Sequence, residues 1–232
     1  MKHILRFIKN QPPARLIVAG FFLIILTGAC FLMLPVSLRP GVHTSFLDAL
    51  FTATSATCVT GLVTVDPGDT YTVFGRVILA LLIQTGGLGV ITVAVSFAIL
   101  SGRKISLMQR STMQDAISAP KIGGIVRLTK FSVQGTLFIE LLGMTAMLPV
   151  FFRDYGIKGI WMAAFHSVSA FCNAGFDLLG TSSQPFVSLS RYIANPLINL
   201  VIMLLIIIGG IGFLTWDDIC SHKWHIRRYR VQ

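Results

Sequence analysis

The chain has 232 residues, of which 54% are hydrophobic and only 12% are charged. This composition, with several apolar stretches long enough to cross a bilayer, predicts an all-α polytopic membrane protein. The net charge of +10 arises from 19 Lys and Arg residues against nine Asp and Glu residues, and most of the basic residues lie outside the apolar stretches. It therefore indicates orientation in a membrane and argues against nucleic-acid binding.

The first third of the chain predicts two membrane helices with a short helix between them. Residues 1–15 are basic, and residues 16–34 form an uncharged run that predicts the first membrane helix. A cleaved signal peptide is the alternative, but the run is long for that purpose. Residues 44–56 predict a helix of roughly 20 Å, too short to cross a membrane core of about 30 Å. The stretch from Thr57 to Gly61 then predicts an irregular turn, and residues 73–100 a second membrane helix.

Residues 46–66 allow two interpretations. Irregular backbone at membrane depth is tolerated only where it is buried in protein or lines a water-filled cavity, as in a re-entrant loop. The other interpretation is an extracellular loop whose amphipathic helix lies on the membrane surface. This segment alone does not decide between them.

The second half of the chain has the same order of segments. Residues 101–124 form a basic linker, followed by predicted membrane helices at 125–149 and 192–216 and a short helix at 158–170 between them. A basic tail, 217–232, ends the sequence. The predicted domains are therefore 1–15, a first helix/pore-loop/helix unit at 16–100, the linker, a second such unit at 125–216, and the tail.

An internal repeat supports the re-entrant interpretation. The sequence FTATSATCVTG at 51–61 aligns with FHSVSAFCNAG at 165–175, at an offset of 114 residues. The same offset pairs the MLPV at 33–36 with that at 147–150. Downstream, an offset of 123 pairs GGLG at 86–89 with GGIG at 209–212, which predicts a nine-residue insertion within 181–191. Small residues in such runs let another backbone approach or let a helix bend.

These motifs resemble the Trk/Ktr/HKT superfamily of potassium transporters, most closely the bacterial Ktr membrane subunit. The resemblance rests on SATCVTGL, QTGGLG and FCNAGFD and covers nearly the whole chain. Family members carry four repeats around one pore, whereas this chain has two. The resemblance implies potassium uptake across the bacterial plasma membrane, with sodium as the alternative ion and no cofactor. It also implies a homodimer or a complementing half to complete the pore, and a cytosolic nucleotide-binding regulatory subunit as a further partner.

The resemblance implies that the two turns form a selectivity filter. Potassium would bind to the backbone carbonyls of Val59, Thr60, Asn173 and Ala174, together with those of Gly61 and Gly175. Leu62 and Phe176 would flank these carbonyls on one side, and Cys58 and Cys172 on the other. Asp66 and Asp177 follow the turns and would concentrate cations at the mouth, or would be ordinary solvated loop charges.

Three further expectations concern individual side chains. Glu140, inside the third predicted helix, is expected to be a structural hydrogen-bonding partner near the second short helix, with a functional role as an intramembrane acid as the alternative. The cysteines show no metal or redox spacing, so Cys58 and Cys172 are expected to be small packing residues, with a disulfide or thiol sensor as the alternative. An intramembrane hydrolase using Ser55, His166, Ser167 and Asp177 is the enzymatic alternative, but those residues are not duplicated as a set. The chain is therefore predicted not to be an enzyme.

Basic residues predict the orientation. The N-terminus, residues 101–130 and the tail hold fourteen of the 19 Lys and Arg residues, so both termini and the linker are predicted to be cytoplasmic. The alternative to a conducting transporter is a half-transporter that acts only with a complementing half or partner.

Overall fold

The structure is a computed structural model that describes residues 13–89, 92–93 and 125–222. Most of the N-terminal segment, the end of the second predicted helix, the linker and the last ten residues of the tail lie outside these ranges. The described residues contain helices and no β-strand. The all-α prediction is therefore confirmed for this part of the chain.

Eight α-helices and one 3-10 helix occur in the described ranges. In chain order they are α1 Pro13–Leu32, α2 Phe46–Thr57, α3 Pro67–Thr70, α4 Val73–Leu88, α5 Ile125–Tyr155, α6 Lys158–Phe171, the 3-10 helix Ser188–Tyr192, α7 Pro196–Ile211 and α8 Phe213–His222.

Two of these helices are long and apolar enough to cross a membrane. They cover Ala14–Leu32 and Arg127–Tyr155, and two shorter apolar helices are Val73–Leu88 and Pro196–Ile211. At 1.5 Å per residue, each of the shorter helices spans about 24 Å. Length and composition thus agree with a membrane protein.

The chain divides into two compact units, of which one contains both predicted turns. This unit comprises residues 23–87 and 136–210, and we call it the turn unit. Its core is built from large apolar side chains of five helices, each almost fully inaccessible: Leu32, Leu79, Ile83, Met147, Phe151, Phe165 and Ile198. The other unit comprises the described residues before Leu23, between Leu88 and Gly135, and after Gly210.

The turn unit exposes apolar side chains on its outside while burying many polar ones. Exposed apolar residues on α5 and α7 include Leu137, Phe138, Leu141, Leu200, Met203 and Ile207. Buried polar residues include Thr52, Ser55, Glu140, His166, Ser167 and Ser169. A soluble protein rarely leaves such contiguous apolar faces in water, whereas lipid tails cover them without penalty.

The structure differs from several predicted helix boundaries. The third helix does not end at Pro149 but continues to Tyr155, because a proline removes one N–H donor without forcing an apolar helix to stop. The fourth helix begins at Pro196, with the Asn195 side chain accepting from the backbone N–H of Ile198 at 3.1 Å. It is then broken at Gly212, whose φ is +86°. The second is broken in the same way at Gly89, with φ +82°.

Candidate functional site

The first turn closes the C-terminus of α2 through a Schellman motif. The N–H of Thr60 donates to the carbonyl of Ser55 at 2.9 Å, and the N–H of Val59 donates to Ala56 at 3.3 Å. In this motif the residue after the helix cap adopts a left-handed conformation. Val59 is that residue, with φ +50°. The chain therefore reverses abruptly where α2 ends.

The second turn has the same hydrogen bonds at residues 114 positions later. The N–H of Ala174 donates to Ser169 at 2.8 Å, and the N–H of Asn173 donates to Ala170 at 3.0 Å. Asn173 has φ +58°. Residues that the sequence aligns thus adopt the same local backbone geometry.

Both turns require glycine two residues after the left-handed position. Gly61 has φ +76° and Gly175 has φ +74°, a region that residues with a Cβ rarely adopt. Val59 also has a positive φ, although it is not a glycine. A β-branched residue in a left-handed conformation is an outlier. Such outliers persist only where the surrounding structure determines them, and they cluster at functional sites.

The two turns lie directly against each other. A Cβ added at Gly61 would lie 2.6 Å from the carbonyl oxygen of Ala174 and 3.4 Å from the Cα of Gly175. One added at Gly175 would lie 3.5 Å from the Cα of Gly61. The structure therefore brings together two segments that are more than one hundred residues apart in sequence.

The predicted filter residues differ in exposure. Cys58, Thr60, Leu62, Asn173 and Gly175 are exposed, Val59 and Gly61 are half-buried, and Cys172, Ala174 and Phe176 are buried. The two cysteines occupy equivalent sequence positions, but only Cys172 packs in the interior. The expectation of a packed small side chain therefore fits Cys172 and does not fit Cys58. Both thiols are free.

A buried polar group lies behind Cys172. The Gln84 side-chain amide donates to Glu140 Oε2 at 3.3 Å, and Cys172 Sγ lies 3.9 Å from both Gln84 Oε1 and Glu140 Oε1. The Ser167 hydroxyl donates to the main-chain carbonyl of Glu140 at 2.6 Å. The Glu140 side chain thus bonds to Gln84 of α4, and its main-chain carbonyl bonds to Ser167 of the short helix α6. Gln84 was missed, although a polar residue two positions before a glycine run in an apolar helix was a usable signal.

The repeated glycine runs support the ends of the two short helices. A Cβ at Gly86 would overlap the carbonyl oxygen of Thr57, the last residue of α2. A Cβ at Gly209 would overlap the carbonyl oxygen of Phe171, the last residue of α6. Of the two roles considered for these runs, close backbone approach is the one that Gly86 and Gly209 have in the structure. Gly87 makes similar room for the Cys172 thiol.

The two aspartates beyond the turns are not equivalent. Asp66 is buried, and its carboxylate accepts backbone N–H groups of Gly68, Asp69 and Phe186. Asp177 is half-buried, and its Oδ1 accepts from the N–H of Leu179 at 2.9 Å. Burial raises the pKa of the Asp177 carboxyl, the Leu179 N–H opposes that rise, and the negative charge of Asp66 adds to it. Asp177 is thus the less constrained of the two charges.

A cavity of about 220 Å³ lies beside the second turn. Asn173, Gly175 and Asp177 line one part of its wall, and Ser188 and Leu189 line another. The ring of His166 also contributes to the wall, and its Nε2 has no hydrogen-bond partner among the residues that the structure describes. The cavity therefore joins the second turn to the segment predicted to be an insertion.

The residues of the hydrolase alternative do not form a catalytic arrangement. His166 Nδ1 donates to the carbonyl of Met162 at 2.7 Å, and its ring stacks on Phe151. Ser167 bonds to Glu140 as described, and Ser55 accepts from the Thr60 hydroxyl at 2.9 Å. Across the described ranges, no three His, Cys, Asp or Glu side chains are grouped so as to hold a metal ion. Within these described ranges, the site offers backbone groups of two turns and no nucleophile paired with a base.

Comparison with known proteins gives one family and several relatives. The family model TrkH, described as "Cation transport protein", matches residues 15–232. The chain is 40% identical to the potassium/sodium uptake protein NtpJ of Enterococcus hirae over 92% of this chain and 46% of that protein. It is 40% identical to the Ktr system potassium uptake protein B of Bacillus subtilis over 95% of this chain and 48% of that protein. It is 36% identical to the protein of the same name from Vibrio alginolyticus over 90% of this chain and 44% of that protein.

These matches bear on two predictions. The resemblance noted in the sequence is confirmed, and the relatives are named as uptake proteins, which are transporters rather than enzymes. The chain spans about half the length of the curated relatives it matches.

Proposed function

The chain belongs to the TrkH family of cation transport proteins, and on that premise we propose that it forms part of a potassium uptake pathway, with the two turns as its selectivity filter. The observation that carries this proposal is the contact between the turns. Gly61 and Gly175 share a left-handed backbone conformation and lie against each other. A cation-selective path needs such convergence of irregular backbone segments.

The chemistry of selectivity is that of backbone carbonyls. A potassium ion that loses its water needs several oxygen ligands, none carrying a charge strong enough to trap it. The carbonyls of Val59, Thr60 and Gly61 in one turn, and of Asn173, Ala174 and Gly175 in the other, are the proposed ligands. Both short helices end at the turns, so the negative ends of their dipoles favour a cation there.

Asp66 and Asp177 are the proposed acidic groups at the mouth of this path. Their negative charges would raise the local concentration of cations. Asp177 suits this role better, because it is half-buried and retains an oxygen that is not held by a backbone donor.

The proposed architecture is two helix/pore-loop/helix units with re-entrant half-helices α2 and α6. This architecture is supported by two features that both half-helices share. Each ends in a Schellman motif, and a glycine of the following helix packs against its last carbonyl group. The family resemblance implies four such units around one pore. Two copies of this chain, or one copy with a complementing half, would supply them.

A second candidate function is that of a half-transporter that does not conduct alone. The resemblance implies four units around one pore, and two such units are predicted in this sequence. This alternative predicts the same filter geometry and differs only in the need for a partner.

We further propose that the protein lies in the bacterial plasma membrane with both termini in the cytoplasm. The basic linker and tail would then face a cytosolic nucleotide-binding regulatory subunit. The charge distribution described above supports the orientation, and the name "Ktr system" carried by the relatives supports a multi-subunit assembly.

Uptake by cells that lack their own potassium transporters tests the proposal. The chain is expressed alone and together with a complementing half, and growth at limiting potassium and rubidium uptake are measured. The proposal expects rescue in at least one arrangement, with an even number of chains or two halves in the active species by native mass measurement. A conducting species with one copy of this chain and no partner would contradict the four-unit pore. No uptake in either arrangement, with the protein present in the membrane, would contradict the function.

A further inference from the structure

Asp66 lies just beyond the first turn and is almost fully buried, with 7% of its surface exposed. Its Oδ1 accepts from the backbone N–H groups of Gly68 at 2.8 Å and of Asp69 at 3.2 Å. Through these bonds it caps the N-terminus of the short helix α3. One carboxylate oxygen is therefore used locally.

The other oxygen of Asp66 reaches a distant part of the chain. Oδ2 accepts from the backbone N–H of Phe186 at 2.6 Å. Phe186 lies in the 181–191 segment, within which the sequence predicts the nine-residue insertion of the second unit. Hydrogen bonds to a charged carboxylate are shorter and stronger than those between neutral groups. Together with the Ser182 hydroxyl, which donates to Asp69 Oδ1 at 3.0 Å, this bond joins the 181–191 segment to the residues that follow the first turn.

Two glycines make this contact possible. A Cβ at Gly180 would overlap the Asp66 carboxylate, and a Cβ at Gly68 would lie 2.6 Å from the carbonyl oxygen of Leu178. The segments that follow the two turns are therefore in close contact at this point. The insertion also contains two non-glycine residues with positive φ, Phe186 at +57° and Ser188 at +54°. Such conformations persist only when neighbouring groups hold them.

The insertion forms part of the wall of the cavity beside the second turn. Ser188 and Leu189 face that cavity together with Asn173, Gly175 and Asp177. The hydrogen bond from Phe186 to Asp66 is only two residues from Ser188. The position of this part of the wall therefore depends on Asp66.

We propose that Asp66 is a positioning residue for the cation entrance: it fixes the 181–191 segment against the first unit and so sets the shape of the cavity in front of the second turn. The effect on transport rests on the function proposed above. The contact itself is a structural claim that can be tested separately. Asp66 acts through this segment, in addition to any effect of its charge at the mouth.

The variant Asp66→Asn separates the two roles of this side chain. An asparagine retains the oxygen that caps α3, because Asn is as good a capping residue as Asp. Its NH₂ group, however, replaces Oδ2 and accepts no hydrogen bond from Phe186. Gly180→Ala disturbs the same contact from the opposite side. Asp48→Asn is the matched control, since it makes the same chemical change in a half-buried aspartate whose hydrogen bonds are to Ser45.

Two measurements are made on the chain in lipid bilayers with its complementing half. The first is hydrogen–deuterium exchange of the 181–191 segment, which we expect to quicken by about tenfold or more in Asp66→Asn and Gly180→Ala. The second is the potassium concentration that gives half-maximal rubidium uptake, expected to rise several-fold in the same two variants. Asp48→Asn should change neither value.

Each outcome decides a separate claim. Unchanged exchange in both variants would overturn the contact and the proposal with it. Faster exchange with an unchanged half-saturating concentration would overturn the positioning role. An equal effect of Asp48→Asn on uptake would show that acidic charge, and not the contact, matters. A wild-type assembly that takes up no cation would overturn the proposed function and the positioning role, while exchange would still decide whether the contact exists.

Discussion

At the scale of single residues, Val59 and Asn173 occupy the same position in the two turns, but they differ in how easily they adopt the left-handed conformation found there. Both have a left-handed backbone, at φ +50° and +58°. Asparagine tolerates this conformation because its short polar side chain bonds locally, whereas valine is branched at Cβ and strained. The first turn is therefore the less stable of the two in its local conformation.

Replacing each of these two residues by the residue type of the other is expected to change stability in opposite directions. Val59→Asn should raise the free energy of unfolding by about 1 kcal/mol, and Asn173→Val should lower it by about the same amount. Thermal unfolding of each variant in detergent measures both effects. A lower midpoint for Val59→Asn than for the wild type would show that contacts of the valine side chain outweigh the strain.

At the scale of helices, the second glycine run shows that two neighbouring glycines have different roles. A Cβ at Gly209 would overlap the terminal carbonyl of α6, whereas one at Gly210 would find its nearest neighbour, Asn173 Nδ2, at 3.9 Å. Both glycines lie in α7 and would gain similarly in helix propensity if changed to alanine. Only the first is needed for the contact with the half-helix.

Gly209→Ala and Gly210→Ala form a matched pair of variants. Gly210→Ala should leave the free energy of unfolding unchanged or raise it by up to about 1 kcal/mol, through helix propensity alone. Gly209→Ala should lower it by about 1–3 kcal/mol, because the added methyl group displaces main-chain atoms. Unfolding midpoints in detergent compare the two directly. Equal midpoints would mean that α7 can move away from α6 without loss.

The helices were largely predictable from the sequence, while their interruptions were not. Apolar runs predicted α1, α4, α5 and α7, and the stretches before the two turns predicted the short helices α2 and α6. The predicted helix end at Pro149 was wrong because the effect of a proline depends on the environment of the helix, which the sequence does not state. The helix breaks at Gly89 and Gly212 arise from the last glycine of each run, and nothing in GGLG or GGIG says which glycine will be left-handed.

The contacts between distant segments were the least predictable part of the site. The sequence places Asp66 after a turn, where a solvated mouth charge is as reasonable as a buried one. Its burial results from Phe186 and Gly180, more than one hundred residues away. Equivalent sequence positions were likewise no guide to burial at Cys58 and Cys172, because Gly87 and Glu140 surround only the latter.

At the scale of the whole molecule, the distribution of charge predicts how the chain lies in the membrane. Introduced cysteines test this in a chain whose four native cysteines are replaced by serine. Thr64→Cys and Ser183→Cys are at exposed positions on the predicted outer side, and Ser111→Cys lies in the predicted cytoplasmic linker. A membrane-impermeant thiol reagent applied to intact cells should label the first two, and the third only after permeabilisation. If Ser111→Cys alone is labelled in intact cells, the chain has the opposite orientation to the one predicted.

The central claim is that the two contacting turns select the cation, and the ratio of potassium to sodium uptake in glycine variants tests it most directly. Gly61→Ser and Gly175→Ser each place a side chain on a left-handed residue within the turns. The control is Gly41→Ser, whose φ of +81° imposes the same backbone strain at a position with no neighbouring atom within 4 Å. All three are expressed with the complementing half, and membrane levels are measured. Both turn variants are expected to lose much of their preference for potassium, while Gly41→Ser is expected to retain the wild-type ratio. The loss should be larger for Gly61→Ser, because its side chain would collide with the carbonyl oxygen of Ala174. Turn variants that reach the membrane normally and keep the wild-type ratio would contradict the role of the turns in selection.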